Sequence, residues 1–465
     1  MNDGDFQEWA GLEFGSADLG DIRRTRRLVR MASSAAESPA GKITEVFAND
    51  AEREAAFRFV ENDAIDPMAI GEAAFRATAA RSGDFPYVFV PVDGSSLNLA
   101  DHKQQKRLGI VGARFIGARG LQVMTGIAVS PDGVPLGLCG QSYWAREERS
   151  KGSSKKHDTR RVEEKETRYW LEVMQQTRGA LQTLAADTQP WFQLDRGGDA
   201  WPVILDGLEP GQLFTVRAAH DRRLRSPEDE PRRYLRESIE ASTPLGQYAL
   251  DVLGGPNRTP RTATMEIRSQ KIELHLSEKR TGRVFPASIT AVLTREISPV
   301  PKGQKRIEWL LLTSYAVATA EDAELVIFGY AQRWRVEEFH KIWKSGACKV
   351  EETQLGERDR IVRWATILAA VAMRILRLTY LGRRQPSLPA DVEFEAVEID
   401  ATVRLWKPKG HQRGKMPTIG EMVFWIAKLG GYVGKSSGGP PGAIVIGRGL
   451  ARIRPAVELL RDVEM

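Results

Sequence analysis

Apolar and polar residues follow two different periods along this chain, and the change of period marks its organisation. The first 70 residues carry the helical period. Asp21 stands where it can cap the segment IRRTRRLVRMASSAA, in which Arg23, Arg27 and Arg30 recur at helical spacing with Arg24 and Arg26 beside them. AEREAAFRFVEN predicts a second helix, with Phe57 and Phe59 on it. From Tyr87 the pattern turns β-rich. YVFVPVD is a short apolar strand ending in an acid, and LQVMTGIAVSPDGVPLGLCGQSYW reads as two strands around a turn at Pro131–Gly133. A helix follows from about Glu166 to Ala186, then the strand WFQLD, another helix and the strand LFTVRAA.

Strands alternating with helices predict an α/β core with some parallel pairing. The segment from about 221 to 307 interrupts the alternation and reads as a β-rich insertion, with RTATMEIRSQKIELHLS and FPASITAVLTREI as its strands. EWLLLTS then predicts another core strand. One long helix is expected from Ala320 to Ser345 and a second from Ile361 to Leu378. GRRQPSLPA reads as a linker, and the remaining residues as helices separated by the loop GKSSGGPPG. This divides the chain into a helical region over 1–70, an α/β region over 71–380 and a helical region over 381–465. No repeat of fixed period is visible.

Composition narrows the chemistry. The chain has 465 residues, 42% of them hydrophobic and 28% charged, which suits a globular protein with a substantial core. Lys plus Arg number 67 against 61 acids, a net charge of +6, which permits nucleic-acid binding without requiring it. The basic stretch 147–165 reads either as a DNA-touching loop or as a disordered charge run, and the sequence favours the second. The cysteines, Cys139 and Cys348, and the six histidines form no metal-binding pattern, so any metal is expected on oxygen ligands. The start MNDGDFQEWAGLEFG lacks the basic and apolar parts of a secretion signal. The apolar run around Ile367–Leu378 is broken by Arg374 and Arg377, so no membrane span and a cytoplasmic location are expected.

Two acids stand at corresponding places: Asp93 ends VFVPVD and Asp195 ends WFQLD. The carboxyl ends of strands in an open α/β sheet are where ligand groups collect. Two acids side by side there could share Mg²⁺, which takes one or two carboxylates together with water and phosphate oxygens. Position alone does not decide this, because an acid after a strand is more often a turn residue or a helix cap. The segment GYAQRWRVEEFHKIWKSG adds to it. At helical pitch Tyr330, Arg333, Glu337, Lys341 and Lys344 fall on one stripe, opposite Phe328, Val336, Phe339 and Trp343. A solvated face with pairs such as Glu337–Lys341 would show the same pattern. Yet one acid among Tyr, Arg and two Lys is also what a metal-binding carboxylate beside a phosphodiester needs.

At these residues the chain resembles the insertion-sequence-four class of bacterial DDE transposases. The motif of that class is Tyr, two residues, Arg, three residues, Glu, six residues, Lys, and Tyr330, Arg333, Glu337 and Lys344 meet every spacing. The spacing selects Glu337 over Glu338. VDGSSL and LDRGGD resemble the segments of the two family aspartates, which implies Asp93 and Asp195. FTVRAAH implies Arg217 as a DNA-contacting arginine, and Trp309 in EWLLLTS matches a family tryptophan. LGDIRRTRRLV resembles the start of the family's end-binding domain, and IAKLGGY its dimerisation domain. Close relatives carry an acid two residues after the second aspartate. Here Gly197 stands there, which predicts a looser loop.

The resemblance implies a ribonuclease-H-like catalytic core with a β-rich insertion, plus helical N-terminal DNA-binding and C-terminal dimerisation domains. It implies a cut-and-paste transposase in which Asp93, Asp195 and Glu337 hold two Mg²⁺ ions roughly 3.5–4 Å apart, one activating the attacking oxygen and one stabilising the leaving 3′ oxygen, with Mn²⁺ able to substitute. End nicking, hairpin formation, hairpin opening and strand transfer to target DNA would then share one site. Trp309 would stack on a base displaced near the cut. Tyr330, Arg333, Lys341 and Lys344 would hold phosphates, and Arg23, Arg24 and Arg27 would grip the transposon end. The expected partners are double-stranded DNA, at transposon ends and target, and a second copy of the chain in a dimeric synapse. A ribonuclease-H-like nuclease or resolvase, or an inactive DNA-binding relative, are the competing readings. The first would cut without joining, and loss of a carboxylate would mark the second.

Overall fold

The computed structural model describes residues 9–101, 105–112, 117–147, 160–225, 232–255, 258–412, 414–434 and 439–464. Most of the basic stretch 147–165 and the centre of the GKSSGGPPG loop lie outside these residues.

Among the described residues five helices come first: α1 (Trp9–Phe14), α2 (Ile22–Glu37), α3 (Ile43–Val46), α4 (Asp50–Val60) and α5 (Pro67–Ser82). Short polar side chains cap three of them. Asp21 accepts from Arg23 N, Asn49 from Ala51 N and Asp66 from Met68 N, and Pro67 sits at the first position of α5 where its missing N–H costs nothing. The inner face of α2 carries Leu28, Met31, Ala32 and Ala35, all buried, while Arg23, Arg26 and Arg30 share its exposed face.

Ten strands follow: β1 (Tyr87–Asn98), β2 (Gly109–Ile110), β3 (Arg119–Val129), β4 (Pro135–Trp144), β5 (Gln189–Leu194), β6 (Leu213–Arg217), β7 (Pro244–Val252), β8 (Arg261–Glu278), β9 (Arg283–Glu296) and β10 (Glu308–Thr313). Among the described residues they make one ten-stranded sheet in the order β2-β3-β1-β5-β6-β10-β9-β8-β7, with β4 also on β3. β1, β3 and β4 form an antiparallel meander whose tight turn has Gly133 at φ 89°, in the left-handed region that favours glycine. β5 and β6 add in parallel to β1. This is the ribonuclease-H-like arrangement. The β-rich stretch between 221 and 307 does not stand apart from it. Its last strand, β9, pairs antiparallel with β10, so β7–β9 lengthen the central sheet.

Because successive side chains point to opposite faces of a strand, the sheet buries two separate cores. Val88, Val90, Val92, Phe192, Leu194, Phe214 and Val216 face one side. There α6 (Thr167–Leu184), α7 (Trp201–Gly207) and α8 (Leu235–Ala241) cover the sheet. Phe89, Val123, Ile127, Trp191 and Leu311 face the other, toward α9 (Ala320–Ala331), α10 (Trp334–Lys344) and α11 (Arg358–Arg384). The single helix expected over 320–345 is therefore two. At Gln332 and Arg333 the backbone stays right-handed but tightens: Arg333 N bonds Tyr330 O, Arg335 N bonds Gln332 O and Val336 N bonds Arg333 O, each three residues back. Periodicity does not register so small a break, since neither residue is a helix breaker.

α11 runs longer than expected and takes in the GRR of the supposed linker. Every residue from Ile361 to Leu376 is buried, the mark of a helix enclosed on all sides. α2, α4 and α5 pack against it, as do α10 and β4 and two C-terminal helices, α13 (Ile419–Leu429) and α14 (Ala443–Glu464). Two of its buried arginines find partners within the protein. Arg363 donates to Val60 O and Ile65 O, and Arg374 pairs with Glu398 of α12 (Ala396–Trp406) at 3.0 Å. N- and C-terminal regions also meet directly through Arg461 on Glu37. No helix among the described residues is long and apolar enough to cross a membrane.

The helix pair α9–α10 approaches the sheet at Gly329. A Cβ at that position would lie 2.5 Å from Phe89 Cε1 and 3.2 Å from Gln193 Nε2. Gly329→Ala is therefore expected to destabilise the protein by about 1–3 kcal/mol, the usual cost of overpacking a close contact. Urea unfolding of the two proteins measures it, and an unchanged midpoint would mean that α9 is free to shift.

Candidate active site

The side-chain alternation that divides the core also places the polar residues. In β1 the residues on the α9–α10 face are Phe89, Pro91 and, next in step, Asp93; in β5 they are Trp191, Gln193 and then Asp195. The parallel register pairs Val92 with Leu194, so the two aspartates follow side by side where β5 ends. β1 itself continues beyond the expected end at Asp93, held by β3 as far as Asn98. Arg217 of β6 and Trp309 of β10 stand on the same face, in step with Thr215 and Leu311.

Glu337 reaches this face from the first turn of α10, whose buried side, Val336, Phe339, His340 and Trp343, seats the helix. His340 contacts Thr125, the residue opposite Asp93 on β3, at 3.4 Å, and Trp343 donates to Ala365 O of α11. Burial and the nearby charge of Lys344 push the His340 imidazole down to about 3, so it packs as a neutral ring. Lys344 spans to Ser95 at 3.3 Å and Glu351 at 3.6 Å, and Glu351 in turn accepts from Asn98 N at the end of β1.

Arg333 stands at the break between α9 and α10 and joins the acids. Its Nη1 donates to Asp93 Oδ2 at 3.0 Å and its Nη2 to Glu337 Oε1 at 2.6 Å. Burial, and the charge of Asp195 alongside, push the Asp93 carboxyl up to about 7, against the opposing pull of Arg333 and of the Gly94 N–H; Glu337 adds to the rise. Two acids thus share one guanidinium, with Asp195 beside Asp93. Tyr330 is buried beside Arg333, and its ring meets Trp309 edge-on at 5.0 Å. Arg217 donates to Glu308 O, next to Trp309.

The structure thus brings together Asp93, Asp195, Glu337, Tyr330, Arg333, Lys344, Arg217 and Trp309. Lys341 is exposed on α10. Arg23, Arg24 and Arg27 are held within the N-terminal helices, Arg23 on Asp21, Arg24 on Leu19 O and Arg27 on Glu52. The loop after Asp195 is not loose. Gly197 N donates to Asp195 Oδ1 at 2.7 Å, and a Cβ at 197 would come within 2.9 Å of that oxygen and 3.2 Å of Trp170. Two positioning residues escape sequence reasoning. Asp199 is buried and ties this loop to the end of β6 through Ala219 N and Arg222. It is the second acid of LDRGGD, a signal that was present. Gly329 was legible only as a glycine in a helix.

Among the described residues no three His, Cys, Asp or Glu side chains are gathered to ligate one ion as they stand, since Arg333 lies between Asp93 and Glu337. The donor set nevertheless suits a hard divalent cation. It is all carboxylate, and Asp93 resists ionisation, through burial first and the neighbouring charge of Asp195 second.

A mixed sheet that ends two parallel strands in neighbouring aspartates, with a glutamate brought over them by a crossing helix, defines an enzyme core of the ribonuclease-H-like class. The family described as Transposase DDE domain matches residues 139–374, a span that includes Asp195 and Glu337. Transposase DNA-binding matches residues 6–65 and Transposase Tn5 dimerisation domain matches 370–464. The chain belongs to the DDE transposase family, in its Tn5-like branch, and is a metal-dependent enzyme of DNA cleavage and transposition whose partners are DNA and a second copy of itself.

The raised Asp93 value has a consequence for stability. Its ordinary value is 3.8, so the folded state holds this proton more tightly than the unfolded chain does. The cost of ionising it in place is absent in acid and grows as pH rises through about 7. Asp93→Asn keeps an acceptor for Arg333 and removes the charge. Without metal it should raise the thermal midpoint at pH 8, by about 2 °C or more, and leave it nearly unchanged at pH 4. Equal shifts at both pH values in calorimetry would contradict this.

Proposed function

We propose that Asp93, Asp195 and Glu337 are the catalytic carboxylates of a cut-and-paste transposase. The observation that supports this most is the convergence of the three, from two strands and a helix, on one face beside Arg333. They would hold two Mg²⁺ ions, with Mn²⁺ able to substitute. The bound metal supplies Lewis-acid activation of the attacking oxygen and stabilises the leaving one.

The chain's own residues supply position. Arg333 and Lys344, with Arg217, offer cations to phosphates on either side of the carboxylates, and Arg333 can do so as a bidentate fork. The Tyr330 hydroxyl is the neutral donor among them. Lys341, exposed further along α10, reaches outward to the same duplex. Trp309 presents an aromatic ring next to Tyr330, suited to receive a base unstacked when a strand is bent into a hairpin. End nicking, hairpin formation, hairpin opening and strand transfer each replace one oxygen at phosphorus, so one centre serves all four. Residues 1–70 would bind transposon ends, with Arg23, Arg24 and Arg27 contributing, residues 71–380 would carry the chemistry, and residues 381–465 would form the synaptic homodimer on target DNA.

The test uses a labelled duplex bearing the native element's end. Wild type should cut it with Mg²⁺ and not with EDTA, and should yield hairpinned and then joined products. Glu337→Ala should lower cutting by at least about a thousandfold, in keeping with removal of a group that acts directly in phosphoryl transfer. Retarded migration without cutting, alike in both proteins, would leave a DNA-binding relative. Cutting with no hairpin or joined product would instead indicate a nuclease. Trp309→Ala should retain the first nick while losing hairpins. If nick and hairpin fell together, Trp309 would be supporting Tyr330 and nothing more specific.

A further inference from the structure

The position of Arg333 is more than a phosphate-binding arginine requires. Its two terminal nitrogens take up an oxygen of Asp93 at 3.0 Å and of Glu337 at 2.6 Å, the very groups a cation would need. The side chain is 11% exposed, and its Nε is buried with no hydrogen-bond partner. Tyr330 and the Trp334 ring also lie against the guanidinium, but the charged groups that hold it are the two carboxylates. Those acids are not gathered for an ion while it is there. A guanidinium and a divalent cation compete for the same carboxylates, so each weakens the other's hold on Asp93 and Glu337.

We propose that Arg333 is a built-in counter-cation that keeps the carboxylates closed to metal until a DNA phosphate draws it away. The inference rests on the reading of Asp93 and Glu337 as metal ligands. A phosphodiester presents two oxygens to a guanidinium fork as a carboxylate does, so the arginine exchanges one bidentate partner for another of like geometry. The departing charge leaves behind two acids that repel one another, and a divalent ion relieves that repulsion. DNA binding and metal binding at this centre are then coupled with a positive sign, and the coupling passes through a single side chain. No movement of α10 is required, because Arg333 lies at the tightened turn between the helices and can swing from its own backbone position.

The test is direct binding of Mn²⁺ to the full-length, DNA-free protein, followed by electron paramagnetic resonance. Arg333→Gln should bind Mn²⁺ about fivefold or more tightly than wild type, the lower range of ordinary coupling between sites. Arg333→Lys keeps one charge but cannot span both acids, so it should fall between the two. It also carries the comparison should the glutamine variant fail to fold. Asp93→Asn should weaken Mn²⁺ binding in either background. Unchanged or weaker binding in the arginine variants, with Asp93→Asn still abolishing it, would overturn the counter-cation role and leave the carboxylate site standing. Mn²⁺ binding indifferent to Asp93→Asn would remove the carboxylate reading itself, and this inference with it.

Discussion

The contact of α9 with β1 and β5 is the constraint on which the site depends. Gly329 brings the helix onto Phe89 and Gln193. Phe89 in turn packs against Trp191 at 5.4 Å and Phe328 at 5.9 Å. This aromatic layer sets the height of α9 above the sheet, and the tight turn at Gln332 and Arg333 carries that height into α10. Glu337 is one turn further on. The aspartates need no such device. Strand alternation and parallel register put them beside one another once β1 and β5 pair. The centre is thus half backbone geometry and half helix packing, and the second half is the one a mutation in the core can disturb.

Electrostatics pull the other way. Two carboxylates meet a single guanidinium at short range and a third stands beside them, in a partly buried setting where like charges are screened less than at the surface. An enzyme core optimised for its own stability would not carry this arrangement, and the surrounding packing has to hold it together. His340, kept neutral under α10, avoids adding another buried charge, and the link from Lys344 through Glu351 to the end of β1 fastens the far end of the helix.

Much of this was legible in the sequence, for identifiable reasons. Asp93 and Asp195 were marked by short apolar strands that stop at an acid, and Glu337 by a motif whose spacing leaves one choice. The two β-strands around Pro131–Gly133 were announced by turn chemistry. Three features were not readable. The break at Gln332 occurs without glycine or proline, since only hydrogen-bond partners change there. The joining of β9 to β10 is a long-range pairing that periodicity does not encode. The length of α11 was masked because GRR followed by a proline nearby looks like a linker, whereas Arg383 and Arg384 belong to its last turn. The tightness of the loop after Asp195 was misjudged for a related reason. A glycine suggests freedom, but Gly197 N donates to Asp195, and a Cβ at 197 would stand close against that carboxylate.

α11 gives the molecule an unusual mechanical unity. A helix buried along sixteen consecutive residues, Ile361 to Leu376, has no solvent face on which any neighbour could be spared. The segment that matches a DNA-binding family, the catalytic sheet and the segment that matches a dimerisation family all close over it. Local opening therefore has few places to begin. Peeling off any one region exposes the apolar surface of the others, so the whole chain is expected to behave as one cooperative unit in hydrogen exchange, not as three that unfold in turn. The segments that match a DNA-binding family and a dimerisation family thus rest on the same buried rod.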